Sequence, residues 1–183
     1  TAHGMAIRFE VTDEAVRPMG RGTRGVRGIG LREGDVVVDA TVVDADILVA
    51  NNAAMAFETE EKVLDATVLR AGVERLLADP LKGQYYIARD EDGLCAGQMM
   101  ITTEWSDWRN GDFWWIQSVY VPPAYRRTGV FSALYDHVKV LATVSNDVIG
   151  LRLYVEQENT TAQQVYQALG MARTDYQLWE VTF

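Results

Sequence analysis

The stretch Phe113-Trp-Trp-Ile-Gln-Ser-Val-Tyr-Val-Pro-Pro-Ala-Tyr-Arg-Arg-Thr-Gly-Val-Phe131 decides how the rest of the chain is read. Its first part, Phe113 to Val121, is rich in aromatic and β-branched residues and is closed by Pro122-Pro123, which predicts a buried strand. After Gly129 the apolar residues Phe131, Leu134, Val138 and Leu141 recur at three- and four-residue spacing, which predicts a helix with one packed face. Between them, Arg126-Arg127-Thr128-Gly129-Val130-Phe131 sets two guanidiniums beside the free backbone N–H groups of a helix N-terminus. Orphan donors and helix dipole point the same way there, so the turn suits an anion, phosphate above all. Gly129 lets a ligand approach the backbone with no Cβ in between. An ordinary strand–helix connection has the same outline, so the surroundings must decide what this turn does.

Upstream, Gln84–Asp90 and Leu94–Glu104 read as strands joined by a hairpin turn at Asp90-Glu-Asp-Gly93, and Trp105–Asp112 as a polar, aromatic loop. Asp44 to Phe57 reads as a helix with Asp44 as its N-cap. Thr67–Leu77 reads as a second helix, faced by Val68, Val73, Leu76 and Leu77 and stopped by Pro80. Asp35–Thr41 supplies a first strand. Downstream come a strand at Leu151–Glu156, a helix at Thr160–Leu169 and a last strand near Tyr176–Val181. In that helix Thr160 with Gln163 has the spacing of a capping box, Ala162, Val165, Tyr166 and Leu169 share a face, and Gly170 suits the position after the last turn. The order predicts an α/β domain with helices on a mixed sheet.

Two motifs in this order resemble those of the GNAT acetyltransferases, a resemblance that covers about residues 36–183, most of the chain. The first is Arg126-x-x-Gly129-x-Phe131, close to the acetyl-CoA-binding pattern Arg/Gln-x-x-Gly-x-Gly/Ala but with Phe131 at the small position. The second is the strand at 151–156 followed by Asn159-x-x-Ala162-x-x-x-Tyr166-x-x-x-Gly170. The resemblance implies a GNAT-type mixed central sheet flanked by helices, acetyl-CoA as co-substrate and an amine as acceptor. It implies that the backbone of Val119 and Val121 pairs with the pantetheine arm, and that the amides of Arg127, Thr128, Gly129, Val130 and Phe131 hold the pyrophosphate, with Arg126 or Arg127 at a phosphate. A Phe131 side chain directed into the core would leave its amide free. Asn159 would bond the cofactor or brace the strand end; flanking the helix N-terminus is its plainer role. Tyr166 would protonate the departing thiolate, the alternative being a core tyrosine on an apolar helix face. Family members that carry a Glu on the central strand have Gln117 in its place here, and Gln takes no proton. Glu104 is the first choice of base, ahead of Asp107, Asp112, Glu156 or a water chain, because Glu104, Trp105, Asp107 and Trp108 form an acidic, aromatic cluster able to hold an ammonium.

Residues 4–49 resemble something else. Val16-Arg-Pro-Met-Gly-Arg21 and Gly25-Val-Arg-Gly-Ile29 are similar to one blade of the C-terminal domain of DNA gyrase A, a propeller-like disc that wraps DNA. One blade cannot close a ring, and repeat units bury their faces only against neighbours. Residues 1–34 are therefore expected to form a β-rich extension, with the acetyltransferase domain at 35–183. Arg17 to Arg32 holds five arginines and no acid, a strip that could touch phosphate or simply be solvated.

Of 183 residues, 48% are hydrophobic and 23% charged, as in a water-soluble globular domain. The net charge of −9 makes nucleic acid an unlikely main partner and suits a cationic substrate. No apolar run approaches the roughly 20 residues of a membrane span, and neither a membrane association nor a secretory leader is expected, so a cytoplasmic location is. One cysteine excludes an internal disulfide, and two distant histidines give no basis for a metal site. The expected activity is transfer of an acetyl group from acetyl-CoA to a primary amine of a small molecule or peptide by direct attack, since no Cys or Ser sits in a nucleophile motif; a homodimer is left open. A non-catalytic acyl-CoA-binding module and a DNA-associated protein are the competing classes.

Overall fold

In the computed structural model, which describes residues 36–182, strand β4 (Gly111–Tyr120) lies between two unlike neighbours. It pairs antiparallel with β3 (Cys95–Ser106) and parallel with β5 (Val148–Arg152). With β1 (Val36–Asp39) and β2 (Gln84–Arg89) they form one five-stranded sheet in the order β1-β2-β3-β4-β5. Helices α1 (Ala45–Glu60) and α2 (Ala66–Ala78) follow β1, α3 (Val130–Val144) connects β4 to β5, and α4 (Thr160–Ala168) follows β5. This is the mixed sheet with flanking helices that the sequence predicts.

Strand β2 shows why the sheet has two cores. Consecutive strand residues point to opposite faces. Tyr85 and Ile87 accordingly join Leu48 of α1 and Val73 of α2, while Tyr86 and Ala88 join Leu134 and Val138 of α3. Ile87, Ala88, Met99, Leu134 and Val138 are fully buried. Truncating one such aliphatic side chain to Ala typically costs about 2–5 kcal/mol. Gly97 lets α3 come close, since a Cβ there would stand 2.6 Å from Val130 Cγ1.

Two irregularities in β4 make a site. Between Met100↔Gln117 and Gln98↔Tyr120 the register slips, and Ser118 has φ 46°, so β4 carries an extra residue in a bulge. A buried amide network backs it. Gln98 Nε2 donates to Ser118 O at 3.3 Å and to Asn52 Oδ1 at 2.8 Å, and Asn52 Nδ2 donates to Tyr85 Oη at 2.9 Å. The second irregularity is that β4–β5 pairing stops at Trp115↔Arg152. Beyond it the strands part, and the backbone of residues 116–121 has no strand partner on that side among the described residues.

Several expectations need correction. Residues 105–112 are not a loop: β3 and β4 continue as a hairpin closed by a turn over 107–110, where Asn110 takes φ 48°. The strand expected at 151–156 is β5 at Val148–Arg152, because residues 153–159 leave the sheet where the strands part. No strand forms at 176–181, whose apolar side chains stand exposed. Asp44 does occupy the N-cap position of α1, but its side chain accepts nothing from that helix; its carboxylate closes the capping box of the one-turn 3-10 helix before it, accepting from Thr41 N–H at 2.8 Å, and pairs with Arg89. Asn159, not Thr160, caps α4 by accepting from Ala162 N–H at 3.1 Å. The extension expected at 1–34 lies outside the described residues.

Candidate cofactor and catalytic site

The turn before α3 forms as the sequence suggests, with unforeseen supports. A one-turn 3-10 helix over Pro123–Tyr125 brings the chain off β4, Arg127 takes φ 65°, and Gly129 takes φ 91° as the residue before α3. No side chain caps α3, so its first N–H groups are unclaimed by one. Thr128 Oγ1 donates to Tyr125 O at 2.6 Å, and Tyr125 Oη to Asp90 Oδ2 at 2.6 Å, which ties the turn to the β2–β3 hairpin. The two arginines part company. Arg126 donates through Nε to Val121 O at 2.9 Å and pairs with Glu58 of α1. Arg127 makes no hydrogen bond or ion pair among the described residues and is exposed, free to meet a phosphate.

Glu58 also accepts from Tyr120 Oη at 2.7 Å, so α1, the end of β4 and the turn share one carboxylate. Arg126 first, and then Tyr120, hold its carboxyl below the usual range, while burial pushes the Tyr120 phenol up.

Phe131 explains its own departure from a small residue. Its ring packs against the α3-side core, lies 6.3 Å from the Tyr135 ring and meets Tyr166 of α4 edge-on at 5.8 Å. The side chain thus points away from the turn's backbone and forms the wall that Tyr166 leans on. Burial raises the Tyr166 phenol above its ordinary value. Val119 and Val121 pack partly on the same core, at the unpaired edge past the bulge. The structure therefore brings Val119, Val121, residues 126–131 and Tyr166 into one neighbourhood. Asn159 stands at the start of α4 with its Oδ1 engaged as a cap.

Glu104 belongs to the opposite face of the sheet. Its carboxylate accepts from the Trp115 indole N–H and pairs with Arg152 at 2.7 Å. Both contacts, Trp115 foremost, hold its carboxyl below the usual range. Arg152 lies 3.5 Å over the Phe113 ring, and Tyr154 reaches both the Trp115 ring at 5.8 Å and Gln117 Oε1 at 3.4 Å. Gln117 Nε2 donates to Thr102 Oγ1 at 2.6 Å. Trp105, by contrast, is 58% and Trp108 86% exposed, so the aromatic cluster that forms around Glu104 is Phe113, Trp115 and Tyr154. Sequence reasoning missed Glu58, Tyr120, Arg152 and Tyr154. The alternation Leu151-Arg152-Leu153-Tyr154 carried a signal for the last two, since it puts them on one strand face; Glu58 had no local signal.

Two family models divide the chain. Residues 1–44 match the DNA gyrase C-terminal domain, a β-propeller, and residues 45–171 match the acetyltransferase (GNAT) family. The N-terminal part is similar to the A subunit of DNA gyrase from Mycolicibacterium smegmatis, 46% identical over 61 residues that make up 32% of this chain and 7% of that protein. The chain thus spans a small fraction of the gyrase proteins it matches. Among solved structures, a possible acetyltransferase from Clostridium difficile 630 is 42% identical with a TM-score of 0.77, over 81% of this chain and 97% of that one. A predicted acetyltransferase from Clostridium acetobutylicum, solved with acetyl-CoA, shares the fold at 20% identity and a TM-score of 0.68, over 80% and 96% of the two chains. The parted strands, the turn at Gly129 and these matches together put the chain in the GNAT family of acetyltransferases, acyl-transferring enzymes that use acetyl-CoA.

Proposed function

We propose that this protein transfers the acetyl group of acetyl-CoA to a primary amine of a small molecule or peptide, by direct attack of the amine on the thioester carbonyl. The observation that carries most weight is the opening between β4 and β5 past Trp115↔Arg152, followed at the end of β4 by the turn of Arg127 and Gly129 at positive φ. The co-substrate supplies an activated acyl group. The unpaired backbone at Val119 and Val121 pairs with its amide-bearing arm as another strand would. The amides of residues 127–131 and the free Arg127 hold the pyrophosphate, and Arg126 joins them by exchanging Glu58 for a phosphate. Asn159 fixes the start of α4, and through it the position of Tyr166.

As the amine nitrogen bonds to the carbonyl carbon and the C–S bond breaks, Tyr166 gives its proton to the departing sulfur. Its raised pKa keeps it protonated throughout the neutral range, although it makes the donor weaker. The acceptor approaches over Trp115, Gln117 and Tyr154. Glu104 draws an ammonium to that face by its charge, and the aromatic rings add cation–π attraction. The donors from Trp115 and Arg152 make Glu104 a weak proton acceptor, so the amine's proton leaves through water towards it rather than directly onto it. Direct attack is favoured because Cys95, the sole thiol, is half-buried, pushed up by burial and engaged by Asn51.

The test combines calorimetry with an acceptor panel of polyamines, amino acids and peptides. Gly129→Glu puts a side chain and a negative charge at the pyrophosphate position, and CoA binding is expected to vanish. Unchanged CoA affinity in that variant would sink the turn assignment. Turnover with no amine of the panel would sink the acceptor class, and a covalent acetyl-enzyme seen by intact mass would sink direct attack.

A further inference from the structure

Helices α1 and α2 pack on one face of the sheet, on residues that include Met100 of β3. Side chains alternate along a strand, so Thr102 and Glu104 share that face. So do Gln117, Trp115 and Phe113, which stand opposite those three on β4. Arg152 of β5, in register with Trp115, turns to the same side, where it meets Glu104. Gly150 shapes this part of the face. It stands beside Phe113, and a Cβ there would come within 2.9 Å of Phe113 Cε1, so glycine is what lets the ring lie over β5.

Two guanidiniums meet at that ring. Arg152 lies 3.5 Å from its centre and Arg109, from the turn between β3 and β4, 5.4 Å. One carboxylate answers them among the described residues, Glu104, and it is already engaged by Arg152 and by the Trp115 indole. Arg152 gives one N–H to Glu104 and no other to the described residues, and the Arg109 guanidinium makes no hydrogen bond or ion pair among them. In a chain of net −9, this ring thus gathers more positive than negative charge. A guanidinium stacked on a ring is held in one orientation and keeps its N–H edge for a planar oxyanion.

The distance from this charge to the reacting centre sets the length of the ligand. The opening between β4 and β5 begins past Trp115, level with Gln117, whereas the Arg152 guanidinium lies nearer Phe113 than Trp115, whose ring centre is 5.9 Å away. At about 3.3 Å per strand residue, Gln117 is about 13 Å along β4 from Phe113 and about 7 Å from Trp115. We infer, resting on the acetyl-transfer reading above, that the acceptor is a primary amine carrying an anionic group about 10 Å from its nitrogen, with that group held by Arg152 and Arg109. Its middle lies over the rings of Trp115 and Tyr154, 5.8 Å apart. A polyamine fits poorly, because its second ammonium would stand against two guanidiniums. An α-amino acid is too short, since its two charged groups share one carbon. An ω-amino acid or a short peptide with a free carboxylate has the right form, an extended tripeptide spanning about 10 Å.

Parent and variants are assayed with acetyl-CoA and unbranched ω-amino acids of increasing length, each beside the diamine of equal length, and with a tripeptide beside its C-terminal amide. For the parent, kcat/KM is expected to peak at an intermediate length and there to exceed that for the diamine by about tenfold or more, as for a charge-assisted hydrogen bond. Whichever spacer, alkyl or peptide, gives the higher kcat/KM identifies the source of the anionic end. Arg152→Gln/Glu104→Gln removes both charges together, so no carboxylate is left unpaired, and is expected to erase the preference through KM. Arg109→Gln, at an exposed position, is expected to weaken it, and Arg152→Lys to keep part of it. Calorimetry on the CoA-loaded protein reads the same subsite without turnover: the acetylated ω-amino acid should bind about tenfold tighter than its amide. Diamines taken as readily as amino acids, a preference indifferent to length or surviving the double variant, or acid and amide bound alike would overturn the anionic end and leave acetyl transfer standing. Failure of the parent to bind CoA would sink the transfer reading itself, and this acceptor with it.

Discussion

Tyr166 is where a catalytic and a packing role can be told apart by one oxygen atom. Its ring meets Phe131 edge-on, so Tyr166→Phe keeps the contact and removes only the hydroxyl. Loss of a general acid costs about a hundredfold or more in turnover, whereas one buried hydrogen bond is worth about 1 kcal/mol of stability. Turnover is expected to fall by that factor with CoA affinity and melting temperature nearly kept. A variant that turns over within about threefold of the parent across about pH 6 to 9 would make Tyr166 structural and leave the thiolate to depart unassisted. The magnitude rests on burial. Desolvation holds the phenol in its protonated form, so the effect should not fade until the pH climbs past the ordinary tyrosine range.

Each element owes its position to a few specific contacts. Helix α2 starts at Asp65, whose Oδ1 accepts from Thr67 N–H at 2.8 Å and Val68 N–H at 3.0 Å. Asp65→Ala leaves both donors to water and is expected to cost about 1 kcal/mol, a fall of about 2–4 °C in melting temperature for a domain of this size. Activity should be little changed, because α2 packs on Leu69, Val73, Leu76 and Leu77 against the face of the sheet away from α3. A fall in CoA affinity in that variant would mean that α2 is coupled to the turn, for which α1 offers a route through Glu58 and Arg126. The bulge in β4 is held in the same manner. Ser118 at positive φ is strained for a residue with a Cβ, and such backbone persists only where its surroundings over-determine it; the buried Gln98–Asn52–Tyr85 network supplies that constraint.

At the scale of the molecule, two kinds of sequence share one chain. The gyrase-like match runs through residue 44, yet β1 at Val36–Asp39 is paired to β2 and is part of the acetyltransferase sheet. We propose that the preceding residues add stability to the enzyme rather than DNA-wrapping activity. Deleting residues 1–33 is expected to lower the melting temperature and leave a folded enzyme with turnover close to the parent's. Charge agrees with this, since a chain of net −9 repels a phosphate backbone. Tight, sequence-independent DNA binding by the intact chain at physiological salt would overturn that reading.

The sequence alone was enough for those features whose causes are local. The strand and helix on either side of Gly129 were legible because apolar spacing and a glycine before a helix act through neighbouring residues. The α4 motif with Tyr166 was legible for the same reason, although its cap turned out to be Asn159, one residue before the one expected. What depended on residues distant in the chain was not legible. Glu58 meets Arg126 across 68 positions and Arg152 meets Glu104 across 48, and neither pairing leaves a trace in local spacing. The point where β4 and β5 part was also hidden, because an extended chain reads alike whether or not a neighbour pairs with it. For that reason residues 153–156 read as strand although they leave the sheet, and 176–181 read as strand although they pair with no strand among the described residues. Strand propensity is a property of the chain; a partner for its backbone is a property of the fold.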